Sequence, residues 1–176
     1  MSRAGRRSFK PRKKTLKLLI ARLSLFSLGR AFQAAAALDQ DIRRELAAWP
    51  EGYTVIMKIG SRGPAMVLVK EGGRMKYRGE KERPADLLLN FKHLEAAFPV
   101  LTAQIGTPQA FAQNRATLKG DLSQALRLIR CLDLVQGYLF PYLIKRRIMK
   151  RVPPLTPKKM LNRGVIYMLG LPLGRP

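Results

Sequence analysis

The residues able to do acid–base, nucleophilic or metal chemistry are few and scattered. There is one histidine, His93, and one cysteine, Cys131. A single imidazole excludes a multi-histidine metal site and leaves no second imidazole for a proton relay. His93 is expected at the start of a helix, as a surface or capping residue. Cys131 lies in an apolar helical run, so it is expected to be a small buried hydrophobe, and alone it excludes an intramolecular disulfide. The acids Asp39/Asp41 and Glu80/Glu82 sit two positions apart, a spacing that aims them at different faces of a helix and makes poor catalytic dyads. Gly60, Gly63, Gly72 and Gly73 fall between strand-like runs, and neither G-x-x-x-x-G-K-[ST] nor G-x-G-x-x-G occurs. The expectation is a protein that is not an enzyme, with no cofactor and no metal.

The cations carry more information. Thirty-four Lys/Arg against eleven Asp/Glu give a net charge of +23 over 176 residues. No acid precedes Asp39 or follows Asp133; residues 1–30 hold ten Lys/Arg and residues 145–176 hold nine. Ends without acids attract a polyanion, either nucleic acid or an anionic membrane surface. Base stacking needs aromatics among the cations, and the first arm offers only Phe9. Tyr138, Phe140 and Tyr142 precede the basic run 145–151 in an apolar context, and no helix-turn-helix, zinc or RNA-recognition signature is present.

Residues 10–30 instead alternate cations with leucine and phenylalanine, as a helix lying on a membrane does. Arg12, Lys13, Lys14, Lys17, Leu19, Leu23 and Phe26 are the candidate membrane-binding residues. Each cation close to an anionic leaflet contributes on the order of 1 kcal/mol. Two alternatives stay open: an ordinary core helix behind a solvated basic arm, and a basic protein that binds nucleic acid or a ribosome-like assembly. The breadth of the apolar side favours the membrane. No membrane-spanning helix is expected, because Lys17 and Arg22 interrupt the apolar stretch and its longest uncharged run, 23–29, is short. A basic segment, an apolar segment and the four alanines at 34–37 also trace the outline of a signal or transit peptide, broken by Arg22.

These residues need elements to hold them. Apolar periodicity predicts a helix from Thr15 that breaks or bends at Gly29, and a second over about 32–48, ended by Trp49-Pro50. Strand-like runs follow at 53–59, 65–70 and 74–78, with Glu71-Gly72-Gly73 as a hairpin signal. A fourth strand is expected over 85–91, a helix over 92–102, a helix from Thr107-Pro108, a strand over 114–119, and a long final helix capped by Asp121. Residues 1–14 read as a basic arm and the proline-rich, basic residues 151–176 as a tail.

Within this order, Ala85-Asp86, Gly106, Pro108, Ala110-Phe111 and Gly120-Asp121 occur as they do in the sterol carrier protein type 2 (SCP2) family, which the stretch over about 40–150 resembles. The likeness is strongest in its final third. It implies an α+β fold: a mixed or antiparallel sheet of about five strands covered by helices and enclosing a hydrophobic cavity. It also implies a lipid cargo, acyl, isoprenoid or sterol-like, held without catalysis; some bacterial relatives are accessory factors in ubiquinone synthesis. Met57, Met66, Phe98, Phe111, Leu122, Leu126 and Ile129 are the candidate cavity residues. The expected organisation is a basic arm and amphipathic helix over 1–30, a lipid-binding domain over 31–150 and the tail over 151–176. The expected partners are a lipid, an anionic membrane surface and a lipid-metabolising enzyme complex, with the protein cytoplasmic and peripheral to the membrane.

Overall fold

The computed structural model describes residues 12–81 and 83–139. The arm over 1–11, the tail, Phe140, Tyr142 and the basic run 145–151 lie outside the described residues.

The first helix, α1 (Arg12–Leu38), is a single element of 27 residues. It runs straight through Gly29, where the sequence suggested a break. The reason is packing: a Cβ at Gly29 would lie 2.5 Å from Cδ2 of the Tyr77 ring. Glycine here lets the helix cross the sheet closely, and its helical neighbours absorb the roughly 1 kcal/mol that glycine costs in a helix. The chain breaks ten residues later at Asp39, whose backbone is extended and whose carboxylate accepts from the Asp41 N–H at 2.7 Å. That cap starts α2 (Gln40–Ala47). The far end of α2 is closed by buried Lys70, whose Nζ donates to the Leu46 and Trp49 carbonyls. A cation at a helix C-terminus satisfies carbonyls that have no partner within the helix.

The strands are β1 (Thr54–Ile59), β2 (Ala65–Glu71), β3 (Arg74–Tyr77), β4 (Leu87–Phe91) and β5 (Ala116–Lys119), in the sheet order β3-β2-β1-β4-β5. Only the β1–β4 pair is parallel, so the sheet is mixed. Helices α3 (Leu94–Leu101) and α4 (Thr107–Ala112) connect β4 to β5, and α5 (Leu122–Leu139) follows β5. The fold is α+β, with a five-stranded open sheet and helices packed on it, as the sequence led us to expect.

Strand alternation sorts the side chains between two faces. Val55, Met57, Ile59, Met66, Leu68, Leu87, Leu89 and Phe91 join Leu25, Leu28, Phe32, Leu128, Leu132 and Val135 in the main core under the helices. Ile56, Val67 and Val69, on the other face, gather with Leu88 in a second cluster. The division drawn after residue 30 falls inside α1, because Ala21, Leu25 and Leu28 belong to the same core as Ala31 and Phe32. Over Thr15–Leu38, α1 is also long and apolar enough to cross a membrane by length and composition, with a mean hydropathy of 1.2. A core helix can meet the same test, so this does not overturn the expectation that no helix spans a membrane. Isolated cations such as Lys17 and Arg22 interrupt a run without pulling its average down far enough. In the fold, the inner side of this helix is occupied by the sheet and α5.

Candidate functional site

The features that resembled a family have structural roles. At Gly120, φ is +127° and a Cβ would lie 2.4 Å from the Asp86 carbonyl oxygen. No other residue fits that turn between β5 and α5 without moving β4. Asp121 Oδ1 then accepts from the Gln124 N–H at 2.9 Å and starts α5. The Asp86 carboxylate accepts from the Thr54 N–H at 2.8 Å and its own N–H donates to the Thr54 carbonyl at 3.0 Å, pinning the entry of β4 to that of β1. His93 is the N-cap of α3, with Nδ1 accepting from the Ala96 N–H at 3.1 Å. Cys131 is buried in the main core, and burial pushes its thiol up to about 12, far from any nucleophilic range.

Against β1, between helices, lies a cleft of about 370 Å³. From α1 come Ile20, Leu23, Ser24, Ser27 and Leu28; from β1, Met57; from α3, Val100 and Leu101; from α4, Thr107; and from α5, Gln136 and Leu139. No charged side chain is among these residues. The size is within the range of small-molecule sites, and so is the mixture of an apolar wall with a few polar groups. The walls differ in depth. Thr107 is 2% exposed, whereas Leu23 is 56% exposed, so the cleft runs from a buried end to an open mouth on α1.

Of the candidate cavity residues, Met57 lines this cleft. Met66 is in the core against Gly29, and Phe111 packs on the edge of the same core. Phe98 is half-buried, with the Lys17 ammonium 5.8 Å from its ring centre. On α5, Leu122 and Leu126 are 66% and 48% exposed and Ile129 is half-buried, while Ala125, Leu128, Leu132 and Val135 face the core. A leucine-rich helix offers two apolar stripes one residue apart, and spacing alone does not choose between them. The rotation is set by polar partners: Glu45 on α2 accepts from Arg130 at 2.8 Å and 2.9 Å and from Arg127 at 3.4 Å, and the Tyr138 hydroxyl donates to Asp39. The Arg130 hydrogen bond holds the Glu45 carboxyl below its usual range. Sequence reasoning missed the contributions of Thr107 and Gln136, which carry no motif and acquire meaning only from the cleft.

Of the candidate membrane-binding residues, Arg12, Lys13 and Lys14 open α1, with side chains outside the described set. Leu19, Leu23 and Phe26 form an exposed ridge with Leu16 and Leu18. The cations beside the ridge are partly engaged: Lys17 with Phe98, Arg22 with Glu80 at 2.9 Å, and Arg30 over the Phe26 and Tyr77 rings.

No protein-family model and no curated protein matches this chain. Among solved structures, the chain is similar to the ubiquinone synthesis protein UbiJ-SCP2, at 18% identity over 71% of this chain and 99% of that one, with a TM-score of 0.42. Sterol carrier protein 2 from Yarrowia lipolytica, in its apo form, is 11% identical over 63% of this chain and 88% of that one, with a TM-score of 0.44. The sterol carrier protein domain 2 of Helicoverpa armigera is 17% identical over 78% of this chain and 96% of that one, with a TM-score of 0.41. None of these SCP2 likenesses assigns a ligand to this chain.

Proposed function

We propose that this protein is an SCP2-like lipid binder that holds a hydrophobic lipid in the cleft beside α1 and carries or presents it at an anionic membrane surface, without catalysing a reaction on it. The observation that carries the reading is the continuity of the cleft with the exposed ridge of α1. Leu23 belongs to both, so an apolar molecule leaving the cleft meets the ridge before it meets bulk water. An exposed apolar patch beside cations suits a leaflet with anionic headgroups, where leucine burial and charge attraction add. The SCP2 resemblance in the sequence supports a cargo of acyl, isoprenoid or sterol-like character. A peripheral, cytoplasmic position and a lipid-metabolising enzyme complex as recipient complete the proposal.

The test uses the full chain. Solvent extraction of the purified protein followed by mass spectrometry should recover a lipid. The protein should float with vesicles containing phosphatidylglycerol and not with phosphatidylcholine alone. Salt should weaken that flotation only in part, since an inserted leucine face is not screened. A lipid-free protein that ignores these vesicles yet binds RNA with a steep salt slope would instead be a nucleic-acid binder.

A further inference from the structure

The buried end of the cleft contains a polar group with nothing to bond. Thr107 is 2% exposed, and its hydroxyl Oγ1 is buried with no hydrogen-bond partner among the described residues. The N-cap of α4 is Gly106, which has no side chain to close the helix, and Thr107 follows it as the first residue of that helix. Burying a hydroxyl unpaired is unfavourable, and a threonine at such a place is explained when something else completes it. Gln136, 9% exposed, lines the same cleft with an amide that both donates and accepts.

Resting on the lipid-binding reading above, we propose that Thr107 is a headgroup anchor. It bonds the uncharged oxygen of a single-chain lipid, a hydroxyl or carbonyl, at the buried end, with the hydrocarbon running out toward Leu23. Three observations select this occupant. A hydroxyl and an amide recognise an oxygen, and they leave the rest of the wall to hydrocarbon. Among the described residues no Lys or Arg lines the cleft, so an ionised carboxylate there would lose its hydration with no countercharge from them in return. A cleft of about 370 Å³ that opens at Leu23 has room for a single hydrocarbon chain running from the buried end to the mouth.

The test compares 1-decanol, decane and decanoate at pH 8, followed by calorimetry and by the methyl resonance of Met57 in the cleft wall. Wild-type protein should bind 1-decanol at least tenfold more tightly than decanoate, and decanoate should gain affinity as the pH falls toward its own pKa. Thr107→Val, which keeps the shape and removes the hydroxyl, should weaken 1-decanol roughly fivefold while leaving decane within twofold. Thr107→Ser should restore the alcohol. Equal losses for decanol and decane, or no loss for either, would overturn the anchor while leaving the lipid-binding reading intact, as would a wild-type preference for decanoate. The preference of the wild type needs no variant, so a Thr107→Val protein that failed to fold would leave the anchor falsifiable. If none of the three shifted Met57 or released heat, anchor and lipid-binding reading would fall together.

Discussion

One helix contains two regions that hydropathy alone scarcely separates but the fold treats in opposite ways. In the first half of α1, from residue 15 to 26, only Ala21 and Leu25 are buried, and Leu16, Leu18, Leu19, Leu23 and Phe26 stand exposed. From residue 27 to 38 no residue is exposed, and Leu28, Ala31, Phe32, Ala34, Ala35 and Ala36 are in the core. The difference is in side-chain size and charge. Gly29 and the alanines let the second half approach β2 and β3 closely, whereas large leucines separated by cations keep the first half at the surface. Apolar content says that a helix seeks a non-aqueous neighbour; the mixture of small residues or cations says which neighbour.

The largest break in this comparison should come from the inner half. Phe32→Ala opens a fully buried site and should cost about 3–5 kcal/mol, read as a lower urea midpoint. A value below about 1 kcal/mol would mean that this half of α1 does not pack as described.

A smaller effect, of opposite sign, is expected on α5, which packs against α1. Burial raises the Asp133 carboxyl to about 6 from an ordinary 3.8. The folded protein then holds a proton that the unfolded chain has released, so stability falls as pH rises from about 4 to about 6 and is level above. Asp133→Asn should remove that fall. At neutral pH it should stabilise by about 1–2 kcal/mol, a figure reduced from the full shift because the group is only partly buried. Melting curves at pH 4 and pH 7 for both proteins settle the matter, and a wild type that gains stability over this interval contradicts it.

The smallest change in stability should come from the outer half. Leu19→Ser should alter it by no more than about 0.5 kcal/mol, the usual range for surface sites. The same change should weaken flotation with phosphatidylglycerol vesicles several-fold, since the ridge loses apolar area. A variant that melts much earlier would place Leu19 in the core. One that floats normally would remove the ridge from membrane contact.

Much of this architecture was legible in the residues. The strands at 54–59, 65–71 and 74–77 announce themselves by β-branched runs between glycines, and His93, Pro108 and Asp121 mark helix starts by well-understood local chemistry. Three things were not legible. Gly29 looked like a helix breaker because its real reason, the Tyr77 ring, lies 48 positions away in sequence. The facing side of α5 was hidden because Leu122 and Leu126 belong to one stripe and Leu128 and Leu132 to another, and the choice depends on Glu45 and Asp39 in a different element. The cleft was invisible for the same reason: Thr107, Gln136 and Met57 share no pattern until the fold brings them together.

The chemistry of Cys131 has a practical side. A thiol buried in the core and pushed up to about 12 is almost wholly protonated at pH 8, so it is silent toward alkylating reagents while the fold holds. Because this is the chain's one cysteine, the protein offers a blank background for site-directed labelling. A polarity-sensitive dye placed by Leu23→Cys at the mouth of the cleft would therefore report from a single address. Its spectrum would follow cargo entering and leaving, and reaction of a second thiol equivalent would signal that the core had opened.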